Sequence, residues 1–484
     1  MLLSKSKNAN VNYLAQIVDI KDFTKHVNPK VERLKVAHVQ GYDIIVGIDE
    51  QPGKYVYFPT NSAINPHLLS FANLYRHGEL NANPEKKGFF EDNGRVKAIR
   101  LQNQVSEGFL LPLETLQAFV VSSVNVELPD DVCTAGLEFD QVEHAGKTFW
   151  INRKYVVQQS HTQGAGGTKS NKRNNKLKRF DTVIEDQFRF HYDTVLLRKN
   201  PYVISPDDLI SITSKWHGTS GISANVKCRR PLNWREKLAQ WIAKRKDLFN
   251  DYNNLYSSRS VIKNQFIYKD SRRPSGGFYK VDVWKLADDI LKPLMPKGMS
   301  LYYEICGYLP NGSYIQKDYD YGCVPPEIKN FDDSTVLEGD YVCGKNFKIK
   351  VYRITMTNVD GVAHEYSAKE VQEWCRKKGI EAVDELYYGR AKDLYPELDV
   401  LDPEWPVKFM ECMANDTRFH MEQRSPDCSN NVPHEGIVIK IEDGIPRAWK
   451  LKCFAFLNKE QEELDKGISN IEDEQSADEN DDNS

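Results

Sequence analysis

Short alternations of apolar and polar residues dominate the first quarter of the chain. YLAQIVDI, YDIIVGI and KYVYFP are β-branched and aromatic runs separated by turn formers, and each predicts a strand. EDNGRVKAIRL ends at Leu101 and carries Asn93-Gly94, a pair suited to a hairpin turn. SEGFLLPL at 106–113 predicts another strand. Several short strands within residues 12–125 predict a small barrel or sandwich. From Phe180 to about Leu464 strand patterns mix with helical ones. SLYYEICGYL, NFKIKVYRITMTNV, EGIVIKIE and AWKLKCFAFL are strand-like. PLNWREKLAQWIAKRKDLFNDY (231–252) places Trp234, Leu238, Trp241, Ile242 and Leu248 near helical spacing. VDVWKLADDILKPL (281–294), ending at Pro293, and SAKEVQEWCRKKG (367–379), ending at Gly379, also predict amphipathic helices. There is no internal repeat.

Two segments lack any such pattern. GAGGTKSNKRNNKLKR (164–179) leads three glycines into six bases with no acid. It reads as a flexible linker, and equally as a mobile basic strip that touches phosphates. Residues 467–484 hold seven acids and no base, a composition that predicts disorder. The tail is either solubilising or a nucleic-acid mimic shielding a basic groove. Its charge changes how the whole chain reads. The net charge of −4 becomes +3 once the seven acids are set aside, so a nucleic-acid partner is not excluded.

At 484 residues the chain has room for about three domains of ~150 residues, and for cores that need no covalent staple. Hydrophobic content is 40% and no run of 18 apolar residues occurs, which excludes a membrane protein with spanning helices. MLLSKSKNANVN lacks the apolar stretch and cleavage site of a signal peptide. Nine scattered cysteines, none in C-x-x-C, predict reduced thiols in an intracellular protein, cytoplasmic or nuclear.

The chemistry centres on Ile212-Thr213-Ser214-Lys215-Trp216-His217-Gly218-Thr219-Ser220. A lysine followed by x-x-Gly is by itself an ordinary surface charge. Further segments, recurring in order downstream, change that reading. KWHGTS resembles the K-x-H-G-T-S motif of the Deinococcus-type RNA ligase family, within the covalent nucleotidyltransferase superfamily of ATP-dependent ligases and capping enzymes. Ser257-Ser258-Arg259, Tyr303-Glu304-Ile305, Tyr352-Arg353-Ile354, Glu435-Gly436-Ile437-Val438-Ile439-Lys440 and Lys450-Leu451-Lys452 resemble that superfamily's later motifs. YVYFPTNS, NLYRHGELN, KKGFFEDNGRVKAIRL and SEGFLLPL extend the resemblance into the N-terminal block. One departure is Arg353, which stands where related ligases often carry an acid. Its role is left open.

The resemblance implies an α+β nucleotidyltransferase (adenylyltransferase) domain with antiparallel sheets, over 180–466, preceded by an OB-like nucleic-acid-binding domain at 1–130. A linker at 131–179 with the basic strip and a tail at 467–484 complete the expected layout. Lys215 would be the nucleophile that takes AMP from ATP. His217, Gly218, Thr219, Arg259, Glu304, Tyr352, Glu435, Lys440, Lys450 and Lys452 would bind the nucleotide, with Glu304 at the ribose and Tyr352 stacked on adenine. Glu435 and Glu304 are candidates to hold magnesium or manganese. The partners implied are RNA or RNA/DNA duplex ends, and the chain would act as a monomer that seals nicks with RNA on the 3′-hydroxyl side. A DNA ligase, a GTP-using capping-type enzyme and a catalytically dead nucleic-acid binder are the alternatives.

Residue chemistry supports these roles. An attacking amine must be neutral, whereas free lysine titrates near ~10.4. Lys440, Lys450 and Lys452 would lower Lys215 and offset phosphate charge. Gly218 would let the backbone pass close to the nucleotide. His217, Thr219 and Ser220 would offer donors to phosphate or ribose, unless they cap a turn. In a strand, Lys450 and Lys452 share a face. His191 and His420 read as structural, and Glu338 and Asp340 as solvated turn acids.

Overall fold

The computed structural model describes residues 2–7, 9–157, 182–192, 194–264, 282–327 and 341–467. The 164–179 strip, Glu338 and Asp340, and the tail beyond Gly467 lie outside them.

In the N-terminal unit the three expected runs are strands, β1 (Ala15–Ile20), β3 (Tyr42–Gly47) and β4 (Gly53–Phe58), and β2 (Leu34–Val39) is a further strand that the sequence reading did not name. β5 (Phe109–Pro112) pairs antiparallel with β4, and β4 with β1. The predicted hairpin at Asn93-Gly94 is displaced. Those residues form a turn, while the hairpin closes at Gln102 and Asn103, both at positive φ, between Ala98–Leu101 and Gln104–Glu107. That pair of left-handed residues matches the twist of a two-residue hairpin. SEGFLLPL is two strands rather than one, split at Gly108. Gly108 has φ +133°, and a Cβ there would sit 2.3 Å from the Tyr57 ring. Directly after β5 comes a helix the sequence reading missed, α1 (Leu113–Val124), which buries Leu113, Leu116, Phe119 and Val120.

The expected linker from 131 is partly folded. Glu138–Phe139 extends the β1 sheet, Gln141–His144 pairs with Leu3–Ser4, and Asn152–Lys154 pairs with Ser62–Ile64. Val142 and Ile151 are fully buried there, so apolar packing holds the N-terminal unit together as far as Lys154.

The C-terminal unit is α+β, as expected. Its main elements are β6 (Leu209–Ser214), β7 (Thr219–Cys228), α2 (Trp234–Ala243), β8 (Asp251–Ser258), α3 (Val283–Leu291), β9 (Met299–Gly307), β10 (Phe347–Thr357), α4 (Ala368–Lys378), β11 (Glu385–Arg390), α5 (Trp405–Ala414), β12 (Gly436–Ile441), β13 (Ala448–Lys452) and α6 (Phe454–Asp465). One sheet runs β8-β7-β9-β10, with Ala363–Glu365 at its edge. The other runs β13-β12-β6-β11, with Val195–Leu196 parallel to β13. The named strands pair antiparallel in both sheets.

Alternation explains how the second sheet presents its chemistry. Ile210, Ile212, Ile437, Ile439, Ile441 and Leu451 point into one core, with α5 packed on it. Ser211, Thr213, Val438, Lys440 and Ala448 therefore face the other way, since directly paired residues share a face. The helices at 283–291 and 368–378 form as predicted. α4 starts on a Ser367–Glu370 capping box and stops at Gly379, φ +69°. α2 also has a capping box, Asn233–Glu236, yet none of its residues is buried. Trp234, Leu238, Trp241 and Ile242 face solvent, and the helix expected over 231–252 ends at Ala243, short of Leu248. AWKLKCFAFL is a strand only to Lys452; Phe454 begins α6.

α6 joins the two units. Gln461 exchanges hydrogen bonds with the backbone of Ala98, and Asp465 pairs with Arg95 at 2.5 Å and Lys97 at 3.0 Å. Among the described residues, no helix is long and apolar enough to cross a membrane.

Candidate active site

Lys215 follows β6 directly, and its backbone N–H donates to the Gly436 carbonyl at 2.9 Å. That bond brings the Lys215 motif beside the start of β12, 221 residues later. The side chain reaches Glu435, Nζ to Oε1 2.7 Å, and Glu435 is 4% exposed. His217 Nδ1 lies 3.5 Å from the second oxygen of the same carboxylate. Burial alone would raise Glu435, but Lys215, His217 and Lys452 outweigh it and hold the carboxyl well below its ordinary range.

Lys215 departs from expectation. Burial pushes its amine down and Lys452 adds to that, but Glu435 and Glu304 prevail and the amine titrates above its ordinary value. The expected cations do not govern it because Glu435 is in direct contact at 2.7 Å. Lys440 is instead occupied by the Tyr366 carbonyl at 2.6 Å and by Glu365 at 3.1 Å. Lys452 pairs with Glu460 of α6 at 2.9 Å.

A cavity opens between the two sheets. Lys215, Glu304, Tyr352 and Lys440 of the expected residues line it, with Ser211, Thr213, Trp216, His191, Arg353 and Glu365. A β-bulge shapes its wall. β9 and β10 slip register so that Tyr302 faces Arg353 while Tyr303 faces Val351, leaving Tyr352 as the extra residue. A regular strand would point neighbours to opposite sides; the bulge lets Tyr352 and Arg353 both border the cavity. The Tyr352 hydroxyl lies 3.2 Å from Ser220 Oγ and 3.3 Å from His191 Nδ1. Burial raises this phenol far above its ordinary value, so it stays protonated.

Arg353 now has a place. Its Nε donates to Glu365 at 2.9 Å, and its guanidinium lies over the rings of Tyr302 and Tyr192. Glu365 thus bridges Arg353 and Lys440, both at the cavity wall. No motif announced Glu365: it comes from a three-residue strand paired with the end of β10. His191, read as structural, borders the cavity; its place within FRFHYDT, among aromatics, was the available signal. His420 ends a short 3-10 turn in the left-handed conformation and does not line the cavity.

The remaining expected residues are not among those that line the cavity. The His217 ring packs edge-on against Tyr319 and Phe456, on the Glu435 side. The side-chain amide of Gln316 donates to its Nε2, which leaves the ring hydrogen on Nδ1, toward Glu435. At Gly218 a Cβ would sit 2.6 Å from both the Ile305 carbonyl and Cys306 Sγ, so packing against β9 already requires glycine there. Thr219 is buried opposite Ile305 in the β7–β9 pair. Arg259 follows β8 and lies near enough to lower the Tyr352 phenol slightly against burial. Lys450 and Lys452 share the face of β13 that bears Ala448, but neither lines the cavity. Among the described residues, no group of three or more His, Cys, Asp or Glu is arranged to hold a metal. What Glu304 and Glu435 offer is a pair of carboxylates beside one lysine.

No family model matches the chain, and no curated protein matches it. Among solved structures it is similar to the Naegleria gruberi RNA ligase. A mutant of that ligase with ATP and Mn has a TM-score of 0.48 and 13% identity, covering 93% of this chain and 99% of that one. The same ligase with PPi has a TM-score of 0.47 and 13% identity, covering 93% and 100%. A further mutant with AMP and Mn has a TM-score of 0.48 and 13% identity, covering 93% and 99%. Likeness at this level leaves the site itself to carry the functional reading.

Proposed function

We propose that this protein is an ATP-dependent RNA ligase that works through a lysyl-AMP intermediate on Lys215. The observation that carries the reading is the Lys215–Glu435 pair, 2.7 Å apart, at a cavity between two antiparallel sheets with Tyr352 and Glu304 in its walls. A half-buried lysine held by a carboxylate and open to an aromatic-walled cavity suits nucleophilic catalysis on a nucleotide.

In the first step the Nζ lone pair forms a bond to the α-phosphorus of ATP, and the bond to the bridging oxygen of pyrophosphate breaks. The resting amine is an ammonium, so two protons leave as the phosphoramidate forms. Glu435, at 2.7 Å, is the nearest acceptor. Next, a 5′-phosphate oxygen of RNA takes the adenylyl group, the N–P bond breaks, and Lys215 recovers its protons. A 3′-hydroxyl then attacks that 5′-phosphorus and AMP leaves. Tyr352 offers the base a ring to stack on, and Glu304 accepts from the ribose. Lys440, Lys450 and Lys452 offset phosphate charge. Glu304 and Glu435 fit a magnesium or manganese ion, which needs few carboxylates and keeps most of its waters. When bound, that ion would offset charge on the phosphates.

In this reading the N-terminal unit acts as an OB-like clamp for nucleic acid, the chain works as a monomer, and the substrate is a nick with RNA on the 3′-hydroxyl side. A-form geometry there would align the attacking oxygen, and in-line placement is worth ~7 kcal/mol or more. The test compares nicked duplexes that differ only in ribose or deoxyribose at the 3′-hydroxyl end. Preferential sealing of ribose ends supports the reading. Equal sealing of an all-DNA nick makes it a DNA ligase, and label transfer from GTP but not ATP makes it a capping-type enzyme.

A further inference from the structure

α2 projects from the far end of β7 and has no buried residue. Trp234 is 69% exposed, Leu238 47%, Trp241 76% and Ile242 67%. Two tryptophans this open are unusual on a soluble surface, where large apolar side chains in one patch mark a contact site. At about 100° per residue, Trp234, Leu238 and Trp241 fall within an arc of about 60°. Arg235 and Lys237 flank that arc on either side, and both are exposed. Beyond the helix, Lys244, Arg245 and Lys246 are exposed as well, as are Arg229 and Arg230 before it. Against these seven bases, residues 229–247 hold only Glu236 and Asp247, and each of those is paired with an arginine. The patch is therefore aromatic at its centre and positive around it.

We infer that α2 is a docking site for an unpaired stretch of the RNA strand, with Trp234 and Trp241 stacking on bases and the surrounding lysines and arginines on phosphates. Charge complementarity selects a polyanion. The tryptophan faces select one whose bases are unpaired, since bases inside a duplex offer no free ring face. The inference deepens the ligase reading, and rests on it only for the identity of the nucleic acid. It also sets a distance. β7 runs directly from the Lys215 motif to α2, and its nine steps at ~3.3 Å span about 30 Å. A strand stacked at ~3.4 Å per nucleotide reaches α2 about nine nucleotides from the junction to be sealed.

The test uses the full chain and two labelled RNA nicked duplexes. One ends after eight base pairs on each side of the nick, and the other continues as a 12-nucleotide unpaired extension. Trp234→Ala/Trp241→Ala is expected to weaken binding of the extended RNA about tenfold or more and to leave the short duplex unchanged. Lys237→Glu/Lys244→Glu is expected to flatten the salt dependence for the extended RNA alone. Adenylylation of Lys215 is expected to be unchanged in both, which separates this inference from the ligase reading: loss of adenylylation in the wild type sinks the ligase and leaves the RNA contact standing. Equal affinity of wild type and variant for the extended RNA would overturn the inference. So would equal losses on both RNAs, loss of a dimer in sedimentation, or wild-type binding to phosphatidylserine vesicles in preference to RNA.

Discussion

Tyr352 allows the base-stacking role to be separated from the hydrogen-bonding one. Its hydroxyl contacts are 3.2 Å to the Ser220 oxygen and 3.3 Å to the His191 nitrogen, longer than the ~2.7–2.8 Å usual between oxygens and the ~2.9–3.0 Å usual between nitrogen and oxygen, so each sits at the weak end of ~0.5–1.5 kcal/mol. Tyr352→Phe removes only these, and the half-saturating ATP concentration for adenylylation is expected to change less than about threefold. Tyr352→Ala removes the ring. Loss of a base–aromatic stack costs ~1–3 kcal/mol, so half-saturation is expected to rise about 5- to 150-fold while the saturated rate changes less. Because burial keeps the phenol protonated, the wild type and Tyr352→Phe should differ by the same factor across neutral and alkaline pH. The assay is single-turnover adenylylation against ATP concentration. Tyr352→Phe as damaging as Tyr352→Ala would refute the stacking role, and so would wild-type saturation in Tyr352→Ala.

Glu365→Ala leaves Arg353 and Lys440 facing each other in a buried site without their shared carboxylate, a loss of ~3–5 kcal/mol. Melting should fall by several degrees, with part recovered when Arg353→Met is added; a shift under about 2 °C would show the bridge to be unimportant. His434 is 1% exposed and bonded to Ser214 Oγ at 3.0 Å, and burial lowers it from 6.5 to about 4. The unfolded chain binds its proton first, so stability is full above pH 6.5 and falls as pH drops toward about 4, by ~3 kcal/mol at most. His434→Gln should flatten the fall in melting temperature across that window, and an unchanged slope would contradict the assignment.

Local chemistry was legible in the sequence wherever it depended on neighbours along the chain. The strands bearing Glu304, Lys440 and Lys450 follow from alternation, and α4 from its serine cap and terminal glycine. Pairings between distant segments were not. Lys215 meets Glu435 across 220 residues, and which charge lies nearest decides the state of the amine. The motif resemblance suggested cations, whereas the fold brings carboxylates. Arg353 resisted interpretation because its partner Glu365 and the bulge at Tyr352 exist only once β9 and β10 pair. α1 escaped notice because the strand ending at Pro112 runs straight into the helix, with Pro112 itself as the N-cap and no loop between them. In α2 the helical period was right, but periodicity does not say whether an apolar stripe faces a core or a partner.

The central claim is that Lys215 becomes covalently adenylylated. Incubation with α-labelled ATP and a divalent cation, followed by denaturing electrophoresis and peptide mapping, tests it most directly. The wild type should carry label on the peptide containing Lys215, releasing it on addition of pyrophosphate, and Lys215→Met should carry none while keeping the wild-type circular-dichroism spectrum. Label of normal yield on the Lys215→Met protein, or mapped to another residue, would contradict the account.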